Sequence, residues 1–273
     1  MTANDSRSIF VPDKLALTVS LTLFSLAAIS WIASYYLMPF MMMASSSGGM
    51  ASGVAGIASS FSISSVSLFE VVWIIGMAAM MFPAMTPTVL FYDRIATKQE
   101  PNPSLARLIG TPLFLGGYLI TYAVLGLAAF FVVYEAVSIS MNLPGLGVLA
   151  IIVPSALLIA TGLYQFTSLK TRCLSNCVSP IGFFAVHYSN GFLGSLRMGL
   201  RSGIYCVGCC WAFMLVMLGV GAMSIPVMAV LAGVIALEKV IVRGAKWFNA
   251  VVAAGFITLG FLVLVFPGIL SLI

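Results

Sequence analysis

The sequence predicts an all-α membrane protein, a polytopic bundle of about seven spanning helices. Hydrophobic residues make up 62% of the 273 residues and charged residues only 7%, whereas roughly a quarter of the residues in a soluble domain are charged. A chain this apolar cannot cover itself with polar surface in water, so lipid is its expected solvent. The apolar runs are long and continuous rather than alternating, which favours helices over a closed barrel.

Seven apolar runs reach or approach the length of about 20 residues that crosses a bilayer. They are residues 14–37, 66–92, 111–134, 146–166, 203–222, 225–241 and 247–271. A short polar stretch precedes the first run. The expected organisation is therefore an N-terminal tail at 1–13 and a single helical domain at 14–273.

The segments between the runs are expected to be loops. Residues 38–65 carry no charge and are rich in Met, Ser and Gly, which is typical of a loop. Pro83 and Pro87 are expected to kink or end the second helix, and residues 93–110 to form a charged loop. Residues 167–202 make the longest polar connection. The first run is too long and too bulky for a cleaved signal peptide.

The positions of the basic residues predict the orientation. With seven spans, all twelve fall in segments on one side: Arg7, Lys14, Arg94, Lys98, Arg107, Lys170, Arg172, Arg197, Arg201, Lys239, Arg243 and Lys246. The positive-inside rule then places the N-terminus in the cytoplasm and the C-terminus outside. The expected location is a cytoplasmic membrane, and the net charge of +5 needs no nucleic acid as partner.

Five cysteines form two groups at the predicted cytoplasmic end of the bundle. Cys173 and Cys177 lie in the 167–202 connection, and Cys206, Cys209 and Cys210 open the fifth span. If the connection is helical there, the i, i+4 spacing puts the first two thiols on one face. Cys206 is expected in the first turn of its helix, where the helix dipole favours a thiolate. A reducing compartment disfavours a structural disulfide.

Thiols grouped in this way indicate a soft-metal site. Four thiolates suit Zn²⁺, and two or three suit Cu(I), so the expected ion is copper as Cu(I), with zinc as the alternative. A single free cysteine is an ordinary small buried hydrophobe. Five in two groups favour metal or redox chemistry, and the main rival is a Cys-x-x-Cys redox pair that binds no metal.

Four further residues belong to the predicted metal site. His187 is the sole histidine and lies in the same connection as the first cysteine pair. Glu238 ends the sixth span near the thiols, and carboxylates within a membrane are costly and often functional. Met81 and Met214 lie on the second and fifth spans. Thioethers suit Cu(I), although methionine also fills apolar cores.

Four stretches together resemble a known family. They are Trp73–Pro87, Tyr164–Pro180, Leu196–Trp211 and the pair Glu238-Lys239 after a Met-containing span. This pattern covers roughly residues 66–245 and resembles the prokaryotic predicted metal-binding integral membrane proteins, domain of unknown function 2182. The resemblance implies a multi-span protein whose metal site maps onto Cys173, Cys177, Cys206, Cys209 and Cys210.

The sequence contains no Walker loop, His-Glu-x-x-His, Gly-x-Ser-x-Gly or dinucleotide-binding motif, so no enzyme is predicted. The leading hypothesis is copper handling, in which the cysteines take part in transport or in delivery to a partner. The alternative is an accessory structural subunit of a membrane enzyme complex, such as a copper-dependent monooxygenase, that buries small-residue faces against partner subunits. Thiol–disulfide chemistry is a third hypothesis.

Overall fold

The structure, a computed structural model, describes residues 14–44, 61–99, 106–142, 149–189, 191–220 and 225–266. Its α-helices are α1 (Lys14–Ala44), α2 (Ile63–Gln99), α3 (Thr111–Asn142), α4 (Leu149–Tyr164), α5 (Ser168–Val178), α6 (Pro180–His187), α7 (Gly191–Val220), α8 (Ile225–Ala236) and α9 (Lys246–Val265). A π-helical turn at Ala106–Gly110 leads into α3, and another at Leu237–Ile241 continues α8. The all-α class is confirmed for the described residues, which contain no strand.

Five of the described helices contain segments that are long and apolar enough to cross a membrane. They are Leu17–Leu37, Ile63–Thr97, Arg107–Ile139, Gly191–Gly219 and Lys246–Val265. Helices α4 and α5 meet at a bend of 66° and would make a sixth if the pair is one broken span. Helix α8 and its π-helical turn have only 12 and 5 residues. A count of seven spans and the orientation of the termini therefore stay predictions.

Two expected loops are partly helical. Helix α1 continues through Met38–Met43 to Ala44, and Met50 lies outside the described residues. Helix α2 runs past Pro83 and Pro87 to Gln99, so the prediction of a loop from residue 93 was wrong. Each proline removes a single N–H donor, and neighbouring helices and hydroxyl side chains make that loss tolerable in an apolar bundle.

The expected 167–202 loop is also helical, and this changes the position of the cysteines. Thr167 caps α5 by accepting a hydrogen bond from the Lys170 N–H, and Pro180 begins α6. Helix α7 begins at Gly191, where the backbone has φ +80°, a value that glycine adopts without strain. Cys206 therefore lies near the middle of the 30-residue α7 and not in its first turn, so the helix-dipole argument for a Cys206 thiolate fails.

Helices α3 and α7 form the closest pair around the cysteines. A Cβ added at Gly199 would lie 2.0 Å from the Phe114 carbonyl oxygen, and one at Gly117 would lie 2.3 Å from that of Leu196. Glycine at these positions lets the two backbones come into contact, as small residues do between helices in lipid. Helix α2 is tied to the pair because the Trp73 indole N–H donates to the Tyr122 carbonyl oxygen at 3.0 Å.

Gly199→Ala is expected to destabilise the protein by about 1–3 kcal/mol, the usual effect of forcing extra volume into a packed core. The atom that the methyl group meets is backbone, which cannot rotate away. The matched control is Gly116→Ala on α3, where an added Cβ has no neighbour within 4 Å and where alanine should be neutral or slightly stabilising. Thermal unfolding in detergent measures both. Equal midpoints for the two variants would contradict the close approach of α3 and α7.

Candidate metal centre

Three cysteine sulfurs meet on the inner face of α7. Cys206, Cys209 and Cys210 follow the helical spacing i, i+3, i+4, which places them on one side of the helix. Their Sγ atoms all lie within 4.8 Å of one another. The three side chains are only 1–3% exposed. The group is therefore a buried thiol cluster inside the bundle.

Helix α5 adds a fourth sulfur to this cluster. The Cys177 Sγ lies 3.9 Å from the Cys209 Sγ, and the Cys210 Sγ lies 3.9 Å from both the Cys209 and the Cys206 Sγ. We call Cys177, Cys206, Cys209 and Cys210 the four-sulfur cluster. The two cysteine groups of the sequence thus meet across the α5–α7 contact, which depended on residues 168–178 being helical.

Cys173 lies one turn before Cys177 on α5 and packs against α7 at Gly208. A Cβ added at Gly208 would lie 2.6 Å from the Cys173 Sγ, so only glycine lets α5 approach this closely. The Tyr164 hydroxyl donates to the Gly208 carbonyl oxygen and holds the end of α4 at the same place. Both Cys173 and Cys177 are partly exposed, unlike the three cysteines of α7.

Three polar groups surround the Cys206 sulfur. The Lys239 ammonium donates to it at 2.8 Å, and the Tyr122 hydroxyl donates at 3.1 Å. The Tyr118 hydroxyl lies 3.1 Å from the same sulfur and 3.3 Å from the Tyr122 hydroxyl. All three side chains are buried. Such an environment stabilises a sulfur that carries negative charge, since hydrogen bonds to an ionised acceptor are the strong ones.

An ion pair fixes α5 beside the cluster. The Lys170 ammonium lies 2.7 Å from the Glu238 carboxylate, next to Lys239 in the π-helical turn. The same ammonium donates to the Gln165 side-chain oxygen and lies 4.8 Å from the centre of the Phe213 ring. Lys170 is 0% exposed.

Two of the twelve basic residues are buried inside the bundle. Lys170 and Lys239 are buried beside the thiols, because each has an anionic or sulfur partner there. Burial makes these two residues part of the site, and the predicted orientation, which counts all twelve, stays a prediction.

The remaining predicted site residues have different surroundings. Met81 and Met214 are buried in the same core as the cysteines. Glu238 contacts Lys170 and is not one of the residues whose ligand atoms group with the α7 thiols. His187 ends α6, and its side chain lies outside the described residues. Sequence reasoning missed Lys239, Tyr118 and Tyr122. The signal for Lys239 was an ionisable residue at the end of an apolar run, which marks a functional site by default.

The three α7 sulfurs have the spacing of a soft-metal site, and the Cys177 sulfur lies beside them. Sulfurs bound to one ion at about 2.3 Å lie roughly 3.8 Å apart in a tetrahedron and up to about 4.6 Å apart on a line. The observed separations of 3.9 Å lie within this interval. Thiolates suit Cu(I) and Zn²⁺ and are poor ligands for hard ions such as Mg²⁺ and Ca²⁺.

The described helices thus bury a group of cysteine sulfurs whose donor atoms and spacing suit a soft metal ion. A family model described as PpoB2, copper chaperone, matches residues 70–263, and the chain belongs to this family. The matched range contains all five cysteines as well as Lys170, Glu238 and Lys239. No curated protein and no solved structure matches the chain. The metal-binding character implied by the sequence resemblance is thus supported for a copper-related family.

Proposed function

We propose that this chain is a membrane-embedded copper-handling protein that binds Cu(I) at the four-sulfur cluster and delivers it to a partner. The observation that carries the proposal is a row of sulfurs in a member of a copper chaperone family. Cys177 lies 3.9 Å from Cys209, which lies 3.9 Å from Cys210, which lies 3.9 Å from Cys206. Cu(I) accepts two or three soft ligands, so a cluster of four offers more than one way to hold it. Zinc is the alternative ion.

Delivery is favoured because exposure differs between the two helices that form the cluster. The α7 sulfurs are buried, whereas Cys173 and Cys177 on α5 are partly exposed. An incoming thiol ligand reaches the α5 sulfurs before those of α7. Transfer between proteins requires such accessible ligands beside a protected binding site. The proposed route of transfer therefore leads through α5.

The surroundings of the cluster also fit a soft ion. Met81 on α2 and Met214 on α7 lie in the same buried core and are proposed as weaker thioether ligands during passage. Glu238 on the π-helical turn, whose carboxylate pairs with Lys170, stays a proposed member of the site, and so does His187 at the end of α6. We include residues 14–273 in one membrane domain, and the long apolar helices support this assignment.

Elemental analysis of the full-length protein, purified anaerobically in mild detergent, tests the proposed function. We expect about one equivalent of copper per chain, because one ion occupies two to four of the sulfurs. The control is a variant in which all five cysteines are replaced by serine, and it should contain none. If the native protein contains zinc instead of copper, the identity of the proposed ion changes and the proposed cysteine site is retained.

Copper absent from both forms, with free thiols intact in the native protein, would overturn the proposal. Stoichiometric co-purification of other membrane subunits with metal-free protein would favour the accessory-subunit hypothesis instead. A mixed disulfide trapped at Cys206 or Cys209 would favour thiol–disulfide chemistry.

A further inference from the structure

Lys239 is a buried cation whose ammonium donates a hydrogen bond to a cysteine sulfur. Its ammonium lies 2.8 Å from the Cys206 Sγ, and the residue is 8% exposed. In the described part of the chain, Lys170 pairs with Glu238 and Arg107 pairs with Asp93, whereas no carboxylate lies within 4 Å of the Lys239 ammonium. A buried charge without a counter-charge is strongly destabilising. The cysteine cluster is therefore the electrostatic partner of Lys239.

The positive charge of Lys239 balances the net negative charge of a Cu(I)–dithiolate unit. Cu(I) carries one positive charge and two thiolates carry two negative charges, so the unit has one net negative charge. One adjacent ammonium makes the buried centre neutral. Neutrality is favoured here because the apolar core around the sulfurs cannot solvate a net charge.

A divalent ion such as Zn²⁺ cannot have both a neutral centre and four thiolate ligands beside Lys239. Zn²⁺ with two thiolates is neutral and would leave the Lys239 ammonium without a counter-charge. Four thiolates would complete the tetrahedron that Zn²⁺ prefers, but they leave one net negative charge after the ammonium is counted. Three thiolates balance the charge and leave Zn²⁺ one ligand short.

We propose that Lys239 is the counter-charge of the metal–thiolate centre and that it makes the four-sulfur cluster prefer monovalent Cu(I) over divalent ions. This inference rests on the proposed function, because it concerns the ion bound at the same cysteines. Lys239 acts as a positioning and selectivity residue: its ammonium contacts Cys206 and is not itself a metal ligand. The π-helical turn at Leu237–Ile241 carries both Lys239 and Glu238, which face different partners.

Three substitutions separate the charge of Lys239 from its hydrogen bond. Lys239→Met removes both, Lys239→Gln keeps a donor without charge, and Lys239→Arg keeps the charge. Full-length protein in detergent is titrated anaerobically against a chromogenic Cu(I) chelator and, separately, against a chromogenic Zn²⁺ chelator. Circular dichroism and thermal unfolding check that each variant is folded.

Lys239→Met and Lys239→Gln are expected to bind Cu(I) roughly 10–100-fold more weakly, the usual effect of removing a partner of a metal ligand. Their affinity for Zn²⁺ should change by less than about threefold, because Zn²⁺ bound by the same two thiolates is already neutral and has no net charge for the ammonium to balance. Lys239→Arg should keep the Cu(I) preference. If Lys239→Met does not fold, the comparison of the Gln and Arg variants decides.

Equal losses of Cu(I) and Zn²⁺ affinity would assign Lys239 a merely structural role and overturn the inference. The same conclusion follows if Lys239→Gln keeps the Cu(I) preference or Lys239→Arg loses it. Tight Cu(I) binding by the native protein together with any of these results leaves the proposed function intact. Native protein that binds neither ion overturns both.

Discussion

Cys209→Ser protein is expected to bind Cu(I) more than about 100-fold more weakly than the native protein. The Cys209 sulfur lies 3.9 Å from both Cys177 and Cys210, so it contacts the α5 thiol and a second α7 thiol at once. Loss of an outer partner of a metal ligand costs roughly 10–100-fold in affinity, and loss of a ligand should exceed this range. Cys206→Ser is expected to have a similar effect, because the sulfur beside Lys239 is removed.

The measurement is anaerobic competition with a Cu(I) chelator, and the matched control is Cys173→Ser. Cys173 also lies on α5 and is also partly exposed, but its sulfur packs against Gly208. We expect Cys173→Ser to change the affinity for Cu(I) by less than about threefold, because the substitution leaves the metal ligands in place. A Cys209→Ser variant that retains native affinity, with a native thermal midpoint, would contradict the four-sulfur cluster. An equal loss in all three variants would place the ion nearer to Cys173.

The elements that sequence analysis predicted correctly are those set by periodicity and hydrophobicity. Continuous apolar runs identified helices α2, α3, α7 and α9, because a backbone in lipid must satisfy its own hydrogen bonds. The i, i+4 spacing of Cys173 and Cys177 indicated one helix face, and α5 is indeed helical. Local spacing was sufficient in these cases because helical geometry is itself local.

The surroundings of the thiols depend on contacts between residues distant in the sequence. Tyr118 and Tyr122 lie on α3, more than 80 residues before Cys206, and Lys239 lies 33 residues after it. Hydropathy places a lysine at the end of an apolar run in a loop, since most lysines are solvated. The burial of Lys239 depends on its contact with the Cys206 sulfur, and a hydropathy pattern does not reveal such a contact. The start of α7 was misplaced for a local reason, because three glycines and two arginines interrupt the apolar pattern of residues 191–202.

The second large effect is expected at the Lys170–Glu238 ion pair, which joins α5 to the π-helical turn. Lys170→Met leaves the Glu238 carboxylate buried without a cation, and breaking such a pair costs about 3–5 kcal/mol. Glu238 is 3% exposed, so water cannot replace the ammonium. We expect a much lower thermal midpoint in detergent. Since Lys170 fixes α5, maleimide should also label Cys173 and Cys177 faster than in the native protein.

Two further variants test whether the unpaired Glu238 carboxylate causes the lower thermal midpoint of Lys170→Met. Lys170→Met combined with Glu238→Leu removes both charges, and apolar replacement of a whole buried pair is often neutral, so the double variant should recover most of the midpoint. Lys246→Met removes an exposed lysine and should stay within about 0.5 kcal/mol of the native protein. If the double variant is as unstable as Lys170→Met, the contacts of Lys170 with Gln165 and Phe213 hold α5 in place instead of the ion pair. A native midpoint for Lys170→Met would mean that α5 is held on the four-sulfur cluster by its packing against α7 alone.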